Sequence, residues 1–281
     1  MKKIAFLFLI IDNPNFVDIW DKYFSDNEDK INIYIHPKYP ELHTWKPEHI
    51  IKNLQPTKWG FIVDAYLELF KIAFKNKDNY KFITISESCI PIKPFNLLYN
   101  EIILTNTTLS FIKKMNVSKY DYDVRLSNEI KKQFNNHLIK HYARMCLSRY
   151  HVEQLLLNES KVKIFAQMHV GDEFFLSSIT PLQKYKNIAI TFDDWDYVDK
   201  IKKQLKNKMK ILYEEQEKLN NRSNIEKIKL LKEKYDDVAK NPKTIIKVSK
   251  SDLKNMKNTE SFFYRKFDKN SDVRKYIFKL I

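Results

Sequence analysis

Residues 3–10 read Lys-Ile-Ala-Phe-Leu-Phe-Leu-Ile, a nearly continuous apolar run that ends before Asp12, Asn13 and Pro14. Such a run, without polar alternation, is the pattern of a strand covered on both faces, as in a parallel or mixed sheet. Lys2 and Lys3 ahead of it imitate a secretory leader, but the run is short and no small-residue cleavage site follows, so we read a first buried strand. Outward from it, residues 15–24 carry Phe16, Ile19, Trp20 and Phe24 at helical spacing, and residues 31–36 form a second strand stopped by Pro37. Residues 54–74 open at Trp59-Gly60 into a helix with Ile62, Ala65, Tyr66, Leu69, Phe70 and Ala73 recurring on one face. Residues 82–85 are a third strand that runs into Ser86-Glu87-Ser88. Strand, helix, strand, helix, strand predicts a doubly wound α/β half. Ligands of such a half sit beyond the carboxyl ends of its strands, which collects Ile11, Asp12, His36, Lys38 and Ser86–Ser88 around one crevice.

The rest of the chain is less regular. Residues 105–136 are mixed and polar, a loop-rich acceptor or lid region. Residues 139–147 look like a strand, 148–157 a helix, 188–192 a strand ending in Asp193-Asp194-Trp195-Asp196, and 244–248 a last strand. Residues 198–239 are rich in Lys and Glu, with no Pro or Gly. Their apolar positions predict a surface hairpin of amphipathic helices around a turn at residues 220–223. Such a hairpin presents a solvated face, a partner surface or an acidic-membrane surface.

Length and composition bound the function. The 281 residues, 43% hydrophobic, are enough for a packed core of one large domain or two small ones. A net charge of +15 fits an anionic partner or a lysine-rich solvated surface, and by itself selects neither. Cys89 and Cys146 sit in apolar segments and read as small buried hydrophobes of a reducing compartment. No segment approaches the ~20 apolar residues of a membrane span. With two glycines in the chain, neither a P-loop nor a dinucleotide fingerprint can form, so any phosphate must be met by side chains.

One of those glycines, Gly171, stands before Asp172 and Glu173 in His-Val-Gly-Asp-Glu-Phe-Phe-Leu, residues 169–176. This predicts a helix start in which Asp172 caps the first turn and Glu173 lies beside the positive end of the dipole. Glu173 is then either an ordinary first-turn residue or a positioned general base. Lys243, Arg265 and Lys266 are candidate fixed cations for a departing diphosphate, the last pair set among Phe262, Phe263, Tyr264 and Phe267. Cations amid aromatics also suit single-stranded nucleic acid. Asp193, Asp194 and Asp196, or Asp121 and Asp123, offer oxygen ligands for Mg²⁺ or Mn²⁺. The histidines have no zinc-ligand spacing, and Ser88 has no nucleophile elbow.

Taken together, residues 57–70, 83–95, 169–179, 190–195 and 261–268 resemble, in order, the blocks of the core-2/I-branching β-1,6-N-acetylglucosaminyltransferase family, glycosyltransferase family 14. The N-terminal strand and Tyr-Ile-His-Pro-Lys at residues 34–38 are similar to its opening. The resemblance covers nearly the whole chain except residues 198–240. It implies a GT-A-like α/β fold, a mixed sheet flanked by helices with an inserted helical hairpin, in one glycosyltransferase domain. Residues 1–100 would be the nucleotide-sugar-binding half, 101–197 and 241–281 the acceptor and catalytic half, and 198–240 the insertion.

The resemblance also implies the activity: inverting, metal-independent transfer of N-acetylglucosamine, or of xylose, from a UDP-sugar to a glycan hydroxyl, with no cofactor. The family's base matches Glu173. Its two diphosphate-binding cations match Lys266 and Lys243, with Arg265 beside the first. Its acceptor platform matches Trp195, with Ser88 and Asp172 as further acceptor-binding residues, and its donor nucleoside contacts fall around Ile11, Asp12, His36 and Lys38. Lys243 gives a point charge where the family usually has an arginine fork, so another residue is expected to share its task. The implied partners are a UDP-sugar donor and a glycan acceptor, with no nucleic acid and no transmembrane segment. Without the anchor, stem and cysteines of the Golgi relatives, the expected setting is cytoplasmic, in a bacterium or a large virus. A metal-dependent transferase using Asp194 and Asp196, or a non-catalytic binder of nucleic acid or glycan, are the alternatives.

Overall fold

The computed structural model describes residues 1–134, 137–219, 224–238 and 242–281. The opening run is β1 (Lys3–Ile10); α1 (Val17–Phe24), β2 (Ile31–Pro37), α2 (Val63–Lys75) and β3 (Asn79–Ile85) follow. β1 lies between β2 and β3 and is parallel to both, the doubly wound half the periodicity predicts. Its residues alternate between two cores. Ala5, Leu7 and Leu9 pack beneath α2, while Ile4, Phe6, Phe8 and Ile10 pack beneath α1, where the Trp20 ring meets Phe8 edge-on at 5.0 Å. Burial of each such large side chain contributes on the order of 2 kcal/mol, which is why the strand shows no polar alternation.

Beyond β3 come β4 (Ile90–Pro91), α3 (Phe95–Tyr99), β5 (Ser110–Phe111), β6 (Lys114–Met115), α4 (Asn128–Phe134), β7 (Lys140–His141) and β8 (Cys146–Ser148). The strand expected over residues 139–147 is therefore broken, and residues 142–145 cross the carboxyl end of β3. Thr84 fixes that crossing, donating its N–H to Met145 O at 3.1 Å and its hydroxyl to Ala143 O at 3.2 Å. After α5 (Arg149–Leu157), α6 (Glu159–Ala166) and β9 (Tyr185–Lys186), the described strands complete a six-stranded mixed sheet in the order β2-β1-β3-β8-β5-β9.

The remaining elements are β10 (Thr191–Asp193), α7 (Trp195–Leu219), α8 (Asn224–Val238), α9 (Lys250–Asn258), β11 (Phe263–Arg265) and α10 (Arg274–Ile277). A second sheet runs β10-β11-β4, with β10 and β11 parallel. The strand expected over residues 244–248 reduces to one bridge, Ile245 to Phe267, because α9 begins at once through a capping box between Ser249 and Asp252. α7 and α8 pack on each other as the predicted hairpin, burying Val198, Leu205 and Ile228; its turn at residues 220–223 lies outside the described residues. Among the described residues no helix is long and apolar enough to cross a membrane.

Candidate active site

Glu173 sits on a joint made by both glycines of the chain. Gly60 adopts φ +79°, and its carbonyl accepts the Val170 N–H at 2.6 Å; a Cβ there would stand 2.5 Å from the His169 ring. A Cβ at Gly171 would stand 1.9 Å from Phe165 O, so that backbone lies directly on the end of α6. The helix start expected here is not formed. Val170 is left-handed and carries no side-chain cap, and the segment closes as 3₁₀ turns, Gly171–Glu173 and Phe175–Ile179. Phe174, Phe175, Leu176, Ser177 and Ser178 are all buried, which leaves no polar face for a surface helix. Asp172 therefore does not act as the predicted cap, and Glu173 owes its environment to burial rather than to a helix dipole.

The Glu173 side chain is 27% exposed, with Lys140 Nζ 3.7 Å from Oε2. Burial, and then the neighbouring Asp172 charge, raise its pKa from 4.5 to about 7, against the pull of Lys140 and Arg125. Lys140 is itself held 2.8 Å from Asp121, which also pairs with Arg125 at 2.9 Å. Burial works to raise the Asp121 carboxyl, but the hydrogen bonds from Lys140 and Ser118 prevail and hold it low. Asp172 is buried and its pKa is pushed up, with Arg144 the main opposing charge.

The parallel pairing of β10 with β11 sets Asp193 against Arg265, and the two form an ion pair at 3.1 Å. Burial, then Arg265, lower the pKa of Lys266, while Glu87 and Asp193 hold it up. Ser88 O accepts the Phe267 N–H at 3.1 Å, and Asn15 bridges the Glu87 and Phe267 carbonyls at 2.8 Å each. The segments that follow β1, β3 and β11 are thereby knitted together, which brings Ser88 beside the Arg265–Phe267 strand end; Asp172 feels the charge of Arg265, and Glu173 that of Asp172.

Other expected residues lie around its edges. Trp195 and Asp196 line a cleft of about 290 Å³ with Tyr142, Asp193 and Glu260. Tyr142 joins this cleft to the base: burial raises its phenol, and Asp193, Asp196 and Glu173 add to the rise. Lys243 lies beside the cleft, its N–H on Asp194 O, but its ammonium is 2.5 Å from the buried Asp252 carboxylate and over the Tyr197 ring. Ile11, Asp12 and Lys38 form a rim where the Lys38 and Tyr39 N–H groups bond Ile10 O and Ile11 O at 2.9 Å. His36 stands apart from the predicted crevice contacts. It is wholly buried and its Nε2 accepts the Gln55 N–H at 2.8 Å. Three of the five candidate metal aspartates are engaged: Asp193 with Arg265, Asp194 with the Tyr197 N–H at 3.1 Å, and Asp121 with its two cations. Among the described residues no group of three or more His, Cys, Asp or Glu is placed to hold a metal ion.

Residues 4–216 match the family described as core-2/I-branching enzyme, a span from β1 through the Glu173 joint into α7. The chain belongs to the core-2/I-branching enzyme family. It is also similar to a rice protein named glycosyltransferase BC10 (Oryza sativa subsp. japonica), 26% identical over 116 residues. Those residues are 38% of this chain and 29% of the relative, so the chain spans under a third of the length of the curated relative it matches. Tyr142, Arg144 and Lys140 act electrostatically on Glu173, Asp172 or Asp193, and sequence reasoning missed them. Their signal was three long polar side chains inside an apolar run that read as one strand.

Proposed function

We propose that this chain is an inverting glycosyltransferase that moves a sugar from a UDP-sugar to a hydroxyl of an acceptor glycan, without a metal, with Glu173 as general base. N-acetylglucosamine is the sugar we assign first, and xylose the one to test against it. The observation that carries the reading is a carboxyl whose pKa is pushed up to about 7, partly open to solvent and beside the half-buried Lys140. A base poised there is substantially ionised near neutral pH and still a strong proton acceptor.

As the acceptor oxygen attacks the anomeric carbon, Glu173 takes the hydroxyl proton. The bond from that carbon to the diphosphate oxygen breaks on the opposite face, and UDP leaves with the electron pair. Arg265 and Lys266 meet the charge that develops on the diphosphate, with Lys243 at the edge of the same group. Trp195 and Ser88, with Asp172 next to the base, serve the acceptor side. Ile11, Asp12 and Lys38 receive the nucleoside above the buried His36.

Thermal melting with UDP, UDP-N-acetylglucosamine and UDP-xylose, each in EDTA and in Mn²⁺, tests this. A ligand at about 100 times its Kd adds ~2.7 kcal/mol of stability. The expected result is a raised Tm with UDP in EDTA, the larger shift among the sugar nucleotides naming the donor. A shift that needs Mn²⁺ moves the phosphate site to the aspartates of residues 193–196 and removes the metal-independent mechanism. No shift with any nucleotide removes the transferase reading.

A further inference from the structure

We infer that Arg144 is a donor-binding residue, a guanidinium that meets the leaving diphosphate together with Arg265 and shares the task that Lys243 was expected to carry. The inference rests on the donor reading above. Lys243 is already paired with Asp252, which is wholly buried and closes the capping box of α9 through Ser249. Drawing the ammonium away would leave that carboxylate buried without its counter-ion, a costly state.

Arg144 is placed differently. It lies between Ala143 and Met145, whose carbonyls are both fixed by Thr84, so its backbone is pinned across the carboxyl end of β3, where the ligands of a doubly wound half sit. Its guanidinium is within electrostatic reach of groups from four separate stretches of chain: Tyr66 of α2, Cys89 after β3, Asp193 of β10 and Asp172 beside the base. Among the described residues its buried Nε has no hydrogen-bond partner, and the buried Nε of Arg265 has none either. Buried donors of native proteins are nearly always paired, so two orphaned guanidinium N–H groups in one cluster point to an absent acceptor.

The charges name the kind of acceptor. Arg144 and Arg265 share Asp172 and Asp193, Lys266 feels Asp193 as well, and Asp172 is a carboxyl that burial pushes toward its neutral form. Asp193 is committed to Arg265 Nη1 at 3.1 Å. A polyanion with several oxygens, spaced to satisfy two planar donor groups at once, supplies what the protein lacks there. A nucleoside diphosphate has that form, and a fork-shaped guanidinium matches it better than an ammonium.

Calorimetric titration of wild type, Arg144→Met and Arg144→Lys with UDP, UMP and uridine tests this. Arg144→Met is expected to weaken UDP binding ~10- to 100-fold, the effect of losing a charge-assisted bond, and to leave uridine affinity unchanged. Arg144→Lys is expected to fall between the two. UDP affinity at the wild-type level in a folded Arg144→Met overturns the inference, and leaves a counter-ion to Asp172 and Asp193. Should the Met variant not fold, Arg144→Lys decides: a wild-type Tm with weaker UDP and unchanged uridine supports the inference, and unchanged UDP overturns it. A wild type that binds none of the three ligands defeats the donor reading and this inference together, whereas UDP binding indifferent to residue 144 defeats only the latter.

Discussion

Between β1 and β3 long parallel ladders of backbone hydrogen bonds join seven- and eight-residue strands, and most side chains fill two apolar cores. In the half that carries Glu173 the strands are two or three residues long, and side chains tie backbone segments distant in sequence. Ser177 Oγ accepts from Ile139, Ser110 Oγ accepts from Ser148, and Thr84 binds the 143–145 crossing. The first region derives its order from periodic burial, the second from individual polar contacts. A substitution in the first is therefore expected to cost stability, and in the second to cost geometry at the base.

The largest expected effect is at Glu173. Glu173→Gln keeps the shape and removes the base, so the transfer rate should fall ~10²- to 10⁴-fold while UDP still raises the Tm as in wild type. A variant that keeps more than a tenth of the rate would show that the proton goes elsewhere. Next is Trp20→Ala, which empties the packing against Phe8 and Phe24. It should lower unfolding free energy by ~3–5 kcal/mol in a urea titration, with kcat per folded molecule unchanged.

Gly171→Ala should cost less stability, ~1–3 kcal/mol as overpacking does, yet lower kcat where Trp20→Ala does not. Equal kcat in the two variants would erase the contrast between the regions. The smallest effect concerns pH. Because the folded pKa of Glu173 is raised from 4.5 to about 7, the folded state binds its proton more tightly than the unfolded chain. That contribution to stability is present below 4.5 and lost as pH rises to about 7, whereas the active base accumulates around and above pH 7. Lys140→Met removes the nearest cation and should move the acid limb of the rate profile upward by on the order of one unit. A limb that stays in place would separate Lys140 from the base.

Legibility followed the same division. Residues 3–10, 31–37, 63–75 and 149–157 were readable because one period repeats long enough to separate strand from helix. Residues 169–179 were misread as a helix start because Asp172-Glu173 before Phe174-Phe175 imitates a cap, whereas burial of five consecutive residues selects tight turns. The bridge at Ile245 looked like a strand because the sequence does not announce that α9 cuts it short. Glu173, Arg265 and Lys266 were singled out through local motifs. Arg144 was not, since the groups whose charges reach it, Tyr66, Cys89, Asp172 and Asp193, are far from it or from one another along the chain.

The joint under Glu173 has a consequence for the unfolded state. Glycine is where a denatured chain has most freedom to turn, and every other residue stiffens it. This chain has that freedom at two positions, 60 and 171, and the native structure brings both to the same joint. The glycine share of the entropic cost of folding is thus concentrated at the turn that carries the base. Heat should loosen that turn ahead of the sheet, and catalytic output should decline with temperature before the strands begin to separate.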